Sequence, residues 1–192
     1  MEPAPSHGLW WRVLVASAIG IALTTAQILE RISLLRNPGS SLVCDIGPTV
    51  SCTEVLGAWQ SSVLGPPNAW VGGLMFAILG SGALAAVTGS RLSRGFVLTL
   101  WCLAAFFLCF ATWFMHASAF DIGSLCLWCV GITTAVVVIC AALTRVAQAA
   151  RALGDGRAAR VLDTVVRTRL DLTMWAAWWF VVAGLVAVGL LA

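Results

Sequence analysis

Two pairs of cysteines are the residues of this chain whose type and spacing could support chemistry. Cys126 and Cys129 form a Cys-x-x-Cys motif at the start of an apolar stretch, and Cys44 and Cys52 lie in the longest polar loop. Cysteines three apart in the first turn of a helix share one face and can form a disulfide. A helix N-terminus also stabilises the thiolate, which is the nucleophilic form of cysteine. The motif therefore predicts a redox-active dithiol, and the alternative is a pair of small packing residues.

The loop that carries Cys44 and Cys52 is the second feature with a predicted function. It runs from Glu30 to Asn68, far longer than the usual connection of about 4–6 residues. A Gly-Pro dipeptide between the two cysteines indicates a turn. Two interpretations stay open: a static disulfide that staples the loop, and a disulfide that exchanges with other thiols.

Several other residues have a structural and a chemical interpretation. Cys102, Cys109 and Cys140 fall within apolar stretches without metal-like spacing, and we expect them to pack. His116 could assist proton movement, but a polar residue at a helix end is the favoured interpretation. Asn68 could cap the helix that it opens, or its amide could point at a bound carbonyl. Asp121 and Glu54 are expected to be solvated loop charges.

Composition indicates a membrane protein. Of 192 residues, 60% are hydrophobic and 10% are charged, whereas soluble domains average about 25% charged residues. All 11 basic residues are arginine, and they form no basic run with interleaved aromatic residues. Nucleic-acid binding is therefore not indicated.

Five stretches reach the length of about 20 mainly apolar residues that a membrane-spanning helix needs. They are residues 10–29, 69–87, 96–115, 125–143 and 172–191. Each must be helical, because lipid offers no partner for free backbone N–H and C=O groups. We expect an all-α fold in one polytopic domain, with a four-helix bundle and a fifth helix. The first stretch exceeds the core of a signal peptide, so a retained helix is favoured over cleavage.

The distribution of arginine predicts the orientation. Arginines concentrate in the short loops on the cytoplasmic side of a membrane. Nine of the 11 fall on one side, and only Arg31 and Arg36 fall on the other. The N-terminus and the segment 144–171, which resembles an amphipathic helix, are then cytoplasmic. The cysteine loop 30–68 and the C-terminus are extracytoplasmic. Both cysteine pairs lie on the extracytoplasmic side, where they could relay electrons from aqueous thiols to a lipid-soluble acceptor.

The same motifs resemble those of the vitamin K epoxide reductase family. They are Cys44-Asp45-x5-Ser51-Cys52, Gly65-Pro66-Pro67-Asn68 before a helix, and Cys126-x-x-Cys129 followed by Thr133-Thr134, within about residues 8–145. The resemblance implies a four-helix bundle around a quinone near the outward membrane face. Bacterial members often add a fifth helix that leads to a thioredoxin-like domain. Since this chain stops after its fifth stretch, a separate thioredoxin-like partner is implied.

The resemblance also implies roles for individual residues. Cys129 would reduce the quinone (menaquinone, ubiquinone or a vitamin K-like ring), Cys126 would exchange with Cys52, and Cys44 would exchange with the partner's thiol. The residues expected at the quinone are Asn68, Trp59, Leu56, Trp128 and Thr133. Gly57-Ala58 replaces a region where many members have serine. Thr133 replaces an aromatic hydroxyl residue of animal members, which favours quinone reduction over epoxide chemistry.

Three alternatives remain. The first is a thiolate metal-binding or transport protein, although the wide Cys44–Cys52 spacing fits zinc poorly and no intramembrane acid or histidine marks a path. The second is a non-enzymatic scaffold with a loop disulfide. The third is an unrelated family of disulfide-generating quinone reductases, whose cysteine spacing differs.

Overall fold

The structure is a computed structural model that describes residues 7–37, 39, 41–47 and 49–191, without the side chains of 189–191. Within these ranges the chain forms seven α-helices, a 3-10 turn at Trp59–Ser62 and a π-helical turn at Ser118–Ile122. The helices are α1 (His7–Arg36), α2 (Cys52–Gly57), α3 (Asn68–Val87), α4 (Arg94–Ala117), α5 (Leu127–Ala149), α6 (Arg157–Arg167) and α7 (Leu170–Leu191). The proline of the predicted Gly-Pro turn, Pro48, lies outside the described residues.

Five of these helices are long and apolar enough to cross a membrane, namely α1, α3, α4 with the π-helical turn, α5 and α7. No β-strand forms in the described part of the chain. The predicted all-α fold class is therefore confirmed, and the chain is a multi-pass membrane protein. Helix α1 packs against both α3 and α5, and α4 packs mainly against α5.

Helix α1 continues beyond the predicted apolar stretch. That stretch ends at Leu29, but the helix runs on to Arg36. The intervening residues contain no helix breaker, and the first stop signal is Asn37 with the proline after it. Arg36 also complements the partial negative charge at the helix C-terminus. Glu30 is consequently on a helix rather than at the start of a loop, and its side chain is buried.

Glycines permit the close approach of α1 to its two neighbours. A Cβ atom on Gly20 would lie 2.5 Å from the ring of Phe76 on α3. A Cβ atom on Gly131 of α5 would lie 2.9 Å from Leu23 Cδ1 on α1. Carbon atoms in contact are normally about 3.5–4.0 Å apart, so a larger residue at either position would force the Phe76 ring or the Leu23 side chain to move.

The segment before α5 is held by hydrogen bonds that determine where this helix begins. Ser118 Oγ donates to Ser124 O at 2.5 Å, and Gly123 has a φ of +73°, a conformation that glycine adopts without strain. Leu125 N donates to Thr49 O at 2.9 Å. This last bond ties the loop between the first two cysteines to the residue that precedes the second pair.

Candidate active site

Three of the four expected redox cysteines meet at one end of the bundle, and the fourth lies beside them. The Sγ atoms of Cys44, Cys52 and Cys126 lie within 4.8 Å of one another. Cys44 and Cys52 form a disulfide, whereas Cys126 and Cys129 are free thiols in hydrogen-bonding contact with each other. Cys52 Sγ is 3.2 Å from Cys126 Sγ, so the disulfide touches the dithiol directly. All four side chains are buried.

Asp45 organises the loop around the disulfide. Its carboxylate accepts hydrogen bonds from Leu42 N (2.7 Å), Ser51 Oγ (3.0 Å), Thr53 N (3.1 Å) and Thr53 Oγ1 (2.6 Å). Partial burial opposes its ionisation, but these donors outweigh that effect and lower the pKa of Asp45 to about 2. Ser51 Oγ in turn accepts from Glu54 N at 3.3 Å and caps α2. The Asp and Ser that flank the cysteines thus set the position at which α2 presents Cys52.

The Cys-x-x-Cys motif sits at the start of α5, as its spacing predicts. Cys126 is the N-cap residue with extended backbone, and its carbonyl accepts from Val130 N at 3.2 Å. Cys129 lies in the first turn, where the orphan backbone N–H groups concentrate. The helix therefore places Cys126 toward the loop disulfide and Cys129 one turn deeper.

Two polar residues of α1 belong to this site, and sequence reasoning missed both. Gln27 Nε2 donates to Cys129 Sγ at 3.1 Å and lies 3.9 Å from Cys126 Sγ. Glu30 Oε2 accepts a hydrogen bond of 2.8 Å from Trp128 Nε1 and lies 3.7 Å from Cys44 Sγ. A signal was present, because Thr24, Gln27 and Glu30 recur every three residues in a mainly apolar helix, and all three are buried.

A cleft beside Cys129 brings together some of the residues expected at a ligand. Its cavity volume is about 70 Å³, below the range of about 300–1,000 Å³ that small-molecule sites occupy, so a ring-sized ligand requires its lining side chains to move apart. Of the expected residues, Asn68, Leu56 and Thr133 line it with Cys129, and Gln27 joins them. The rest of the wall is mainly apolar. The chemistry of this lining suits an apolar molecule beside the Cys129 thiol.

The other expected ligand residues are placed elsewhere. Trp59 is 69% exposed and lines a shallow surface pocket with Glu54 and Asp121. Trp128 directs its ring N–H to Glu30. Asn68 is the first residue of α3 rather than its cap, since Pro67 occupies the cap position.

The amide of Asn68 has one satisfied and one unsatisfied end. Its Nδ2 donates to Gln60 O at 2.7 Å. Its Oδ1 is buried and has no hydrogen-bond partner among the residues that the structure describes. Because a buried acceptor without a partner costs free energy, this oxygen suits a ligand that donates a hydrogen bond.

The remaining cysteines and His116 lie outside this cluster. Cys140 is buried in α5 and contacts Ala104 O at 3.2 Å, as a packing residue would. Cys102 and Cys109 are exposed on the surface of α4. His116 is exposed and stacks on Phe120, with ring centroids 4.7 Å apart.

Comparison of the sequence with models of known protein families assigns the chain to a family. The model of the vitamin K epoxide reductase family matches residues 11–145, from α1 to the second half of α5. The chain belongs to the vitamin K epoxide reductase family. No curated protein sequence matches it.

Membership in the vitamin K epoxide reductase family confirms the resemblance that the motifs indicate. It makes the chain a membrane thiol oxidoreductase. Proteins of the vitamin K epoxide reductase family generally use quinones and are linked to thioredoxin-like partners. A thiolate metal site would require Cys44 and Cys52 to be reduced, because a disulfide offers no thiolate to coordinate.

Proposed function

We propose that the chain is a quinone-dependent oxidoreductase that generates disulfides. A thioredoxin-like extracytoplasmic partner gives two electrons to Cys44–Cys52, which passes them to Cys126–Cys129 and then to a quinone. The observation that carries this proposal is the 3.2 Å contact between Cys52 Sγ and Cys126 Sγ. At this distance a thiolate on one sulfur can attack the other without any movement of the helices.

The first exchange takes place at Cys44. A partner thiolate attacks Cys44 Sγ, a mixed disulfide forms, and Cys52 leaves as the thiolate. Cys44 is only 4% exposed, so the loop must shift when the partner docks. The residue beside it, Val43, is 87% exposed and offers an apolar contact next to the bond that reacts.

The second exchange takes place between the two pairs. The Cys52 thiolate attacks Cys126 Sγ of an oxidised Cys126–Cys129 pair, and Cys129 leaves as the thiolate. Gln27 Nε2, 3.1 Å from Cys129 Sγ, donates to the sulfur on which this charge develops. The closed loop disulfide beside a reduced Cys126–Cys129 pair corresponds to the state that is ready to reduce the acceptor.

The residues of the cleft fit a quinone. Its walls are mainly apolar, Cys129 lies at the wall, and Asn68 Oδ1 is a buried acceptor that lacks a partner. A bound quinone supplies a two-electron, two-proton acceptor there. Asn68 suits the hydroxyl of the reduced ring, and Leu56 and Thr133 enclose it and keep water out.

The orientation of this relay follows from charge. Nine arginines belong to the N-terminus and to the connections away from the cysteine end of the bundle. The cysteine end then faces the extracytoplasmic side of a cell membrane, the N-terminus is cytoplasmic and the C-terminus is extracytoplasmic. Thiol oxidation on that side supports disulfide formation in exported proteins.

The test is oxidation of a reduced thioredoxin-like protein by the purified chain, with short-tailed menaquinone or ubiquinone as acceptor. We expect quinone-dependent oxidation by the native chain and none by C129A or C126A. C102A is the matched control, because Cys102 is exposed on α4, and it should behave like the native chain. Full activity of C129A would refute the relay.

A further inference from the structure

We propose that Glu30 is the proton acceptor for Cys44 in the step that re-forms the loop disulfide. The inference rests on the proposed relay and adds a residue to it. During each cycle the partner's second thiolate displaces Cys44 as a thiolate while Cys52 is still joined to Cys126, and at neutral pH the released Cys44 takes up a proton from water. Cys44 must then lose a proton before it can attack Cys52, because only the thiolate is nucleophilic.

Glu30 is placed for this transfer. Its side chain is 9% exposed and lies at the end of α1 nearest the loop. Oε2 is 3.7 Å from Cys44 Sγ and is fixed by the 2.8 Å hydrogen bond from Trp128 Nε1. While Cys44 is in the disulfide its sulfur carries no proton, so the 3.7 Å between Sγ and Oε2 is a van der Waals contact rather than a hydrogen bond. When the disulfide is reduced, the S–H of Cys44 faces an acceptor that is already oriented.

The second carboxylate oxygen has no structural role. Oε1 of Glu30 is buried and without a hydrogen-bond partner in the described part of the chain. The ion pairs found there join other residues, Arg145 with Asp171 and Arg167 with Asp163. A glutamine would satisfy Trp128 equally well and would avoid the cost of burying a carboxylate. Transfer of a proton from the Cys44 thiol explains why a carboxylate occupies this position.

The step balances without another reactant. The Cys44 thiol gives its proton to the Glu30 carboxylate, and the Cys44 thiolate attacks Cys52 Sγ. The Cys44–Cys52 bond forms, the Cys52–Cys126 bond breaks, and its electron pair leaves on Cys126. Cys44 Sγ lies 3.7 Å from Glu30 Oε2 and within 4.8 Å of Cys126 Sγ, and within this cluster Glu30 returns the proton to the Cys126 thiolate. Glu30 ends the step in its starting form.

The groups around Glu30 are chiefly thiols. The loop and α2 contribute Cys44 and Cys52, and α5 contributes Cys126 and Cys129. From the loop, Asp45 is held by its own four donors.

The other neighbouring elements add little charge. Helix α7 contributes Trp178, Val182 and Val186, which do not titrate. The π-helical turn carries Asp121, which is exposed. On α1 itself, Arg31 lines the cleft beside Cys129. A pH dependence that appears on removal of the carboxylate is therefore assigned to one of these thiols, and alkylation of the stalled species identifies it as Cys44.

The test compares the native chain with E30Q, which keeps the acceptor for Trp128 but cannot take up a proton. We expect turnover at pH 7 to fall by about 10²-fold, the lower end of general-base effects. Turnover of E30Q should rise up to about tenfold per pH unit toward pH 8.5, where a thiol ionises unaided. The control is E54Q, since Glu54 is an exposed carboxylate of α2.

A second readout identifies the stalled step. Trypsin places Cys44 and Cys52 in the peptide 37–91 and Cys126 in the peptide 95–145. A Cys52–Cys126 disulfide therefore links two peptides, whereas Cys44–Cys52 lies within one. In E30Q stopped by alkylation during turnover, we expect the linked peptides to accumulate with Cys44 alkylated. E54Q and the native chain should show little of this species.

The outcomes separate the two proposals. If the native chain oxidises no partner with any quinone, the proposed function fails. If the native chain is active and E30Q matches it, Glu30 is not the acceptor. Slow turnover of E30Q without linked peptides and without recovery at high pH assigns Glu30 a structural role and overturns the inference. If E30Q does not purify as folded protein, E30D replaces it in the test. The carboxylate of E30D is one methylene farther from Cys44, so the linked peptides should accumulate. Their absence in E30D would overturn the inference.

Discussion

Arg145 of α5 and Asp171 of α7 form an ion pair with two hydrogen bonds, Nε to Oδ2 at 2.5 Å and Nη2 to Oδ1 at 3.1 Å. Asp171 is 1% exposed and Arg145 is 25% exposed. The pair attaches the fifth long helix to the bundle at the end away from the cysteines. Bidentate geometry and burial of the carboxylate distinguish it from ordinary surface pairs.

Loss of this pair should destabilise the protein. D171A leaves a partly buried guanidinium without its partner, and we expect it to cost about 3 kcal/mol. The thermal midpoint in detergent should fall by several degrees. R167Q is the control, because Arg167 forms an exposed pair with Asp163 and should change stability by less than about 1 kcal/mol. Equal midpoints for D171A and R167Q would contradict the role assigned to Asp171.

Removal of the Gln27 donor should slow the last transfer. Q27L keeps the volume but loses the hydrogen bond to Cys129 Sγ, and a hydrogen bond to a charged sulfur is worth about 1.5–3 kcal/mol. We expect the rate of quinone reduction to fall by about tenfold or more, and the exchange in which Cys129 leaves as the thiolate should slow as well. Stopped-flow measurement of quinone reduction by the pre-reduced protein gives this rate. The control is T25V, since Thr25 lies on the exposed face of α1, and this variant should reduce quinone at the native rate. A native rate for Q27L would show that Gln27 is only a packing residue.

The loop should lose order in acid because of Asp45. Its pKa is lowered to about 2 from the ordinary value of 3.8, so its contribution to stability is complete above about pH 4. That contribution is lost as the pH falls from about 4 toward 2. We expect reduction of Cys44–Cys52 by a phosphine to accelerate over this interval relative to a model disulfide. D45N should show fast reduction already at pH 6, and a flat native profile would show that Asp45 does not hold the loop.

Reporter fusions test the proposed orientation. Alkaline phosphatase, which is active only after export, should be active when fused after residue 192. It should be inactive when fused after residue 154, between α5 and α6. The reverse pattern would place the cysteine pairs on the cytoplasmic side, where a disulfide-generating relay would be opposed by reducing conditions.

The sequence contained enough information to predict the helices and the cysteine pairs, because both depend on local patterns. Apolar runs of sufficient length define the spans, and the Cys-x-x-Cys spacing predicts its own geometry at the start of α5. The positions of Gln27 and Glu30 depend on which face of α1 turns toward α5. That choice is made by the packing of Gly20 and Gly131 against larger side chains, which periodicity in one helix does not reveal.

The residues expected at the ligand also divide into those placed by local sequence pattern and those placed by tertiary packing. Thr133 lines the cleft because it lies one turn after Cys129 on the same face of α5. The positions of Trp59 and Trp128 depend on tertiary structure instead. Trp59 falls in a 3-10 turn that leaves it exposed, and Trp128 is directed to Glu30, a residue that sequence reasoning placed in the loop.

The burial of all four cysteine sulfurs limits which reductants can reach them. Small thiols dissolved in the surrounding water collide with the protein constantly, yet none of these sulfurs lies at the surface. Entry of electrons is therefore controlled by access rather than by the chemical reactivity of the disulfide. In the proposed relay only a protein that displaces the loop delivers reducing equivalents, and small reductants in the water would not drain the quinone pool.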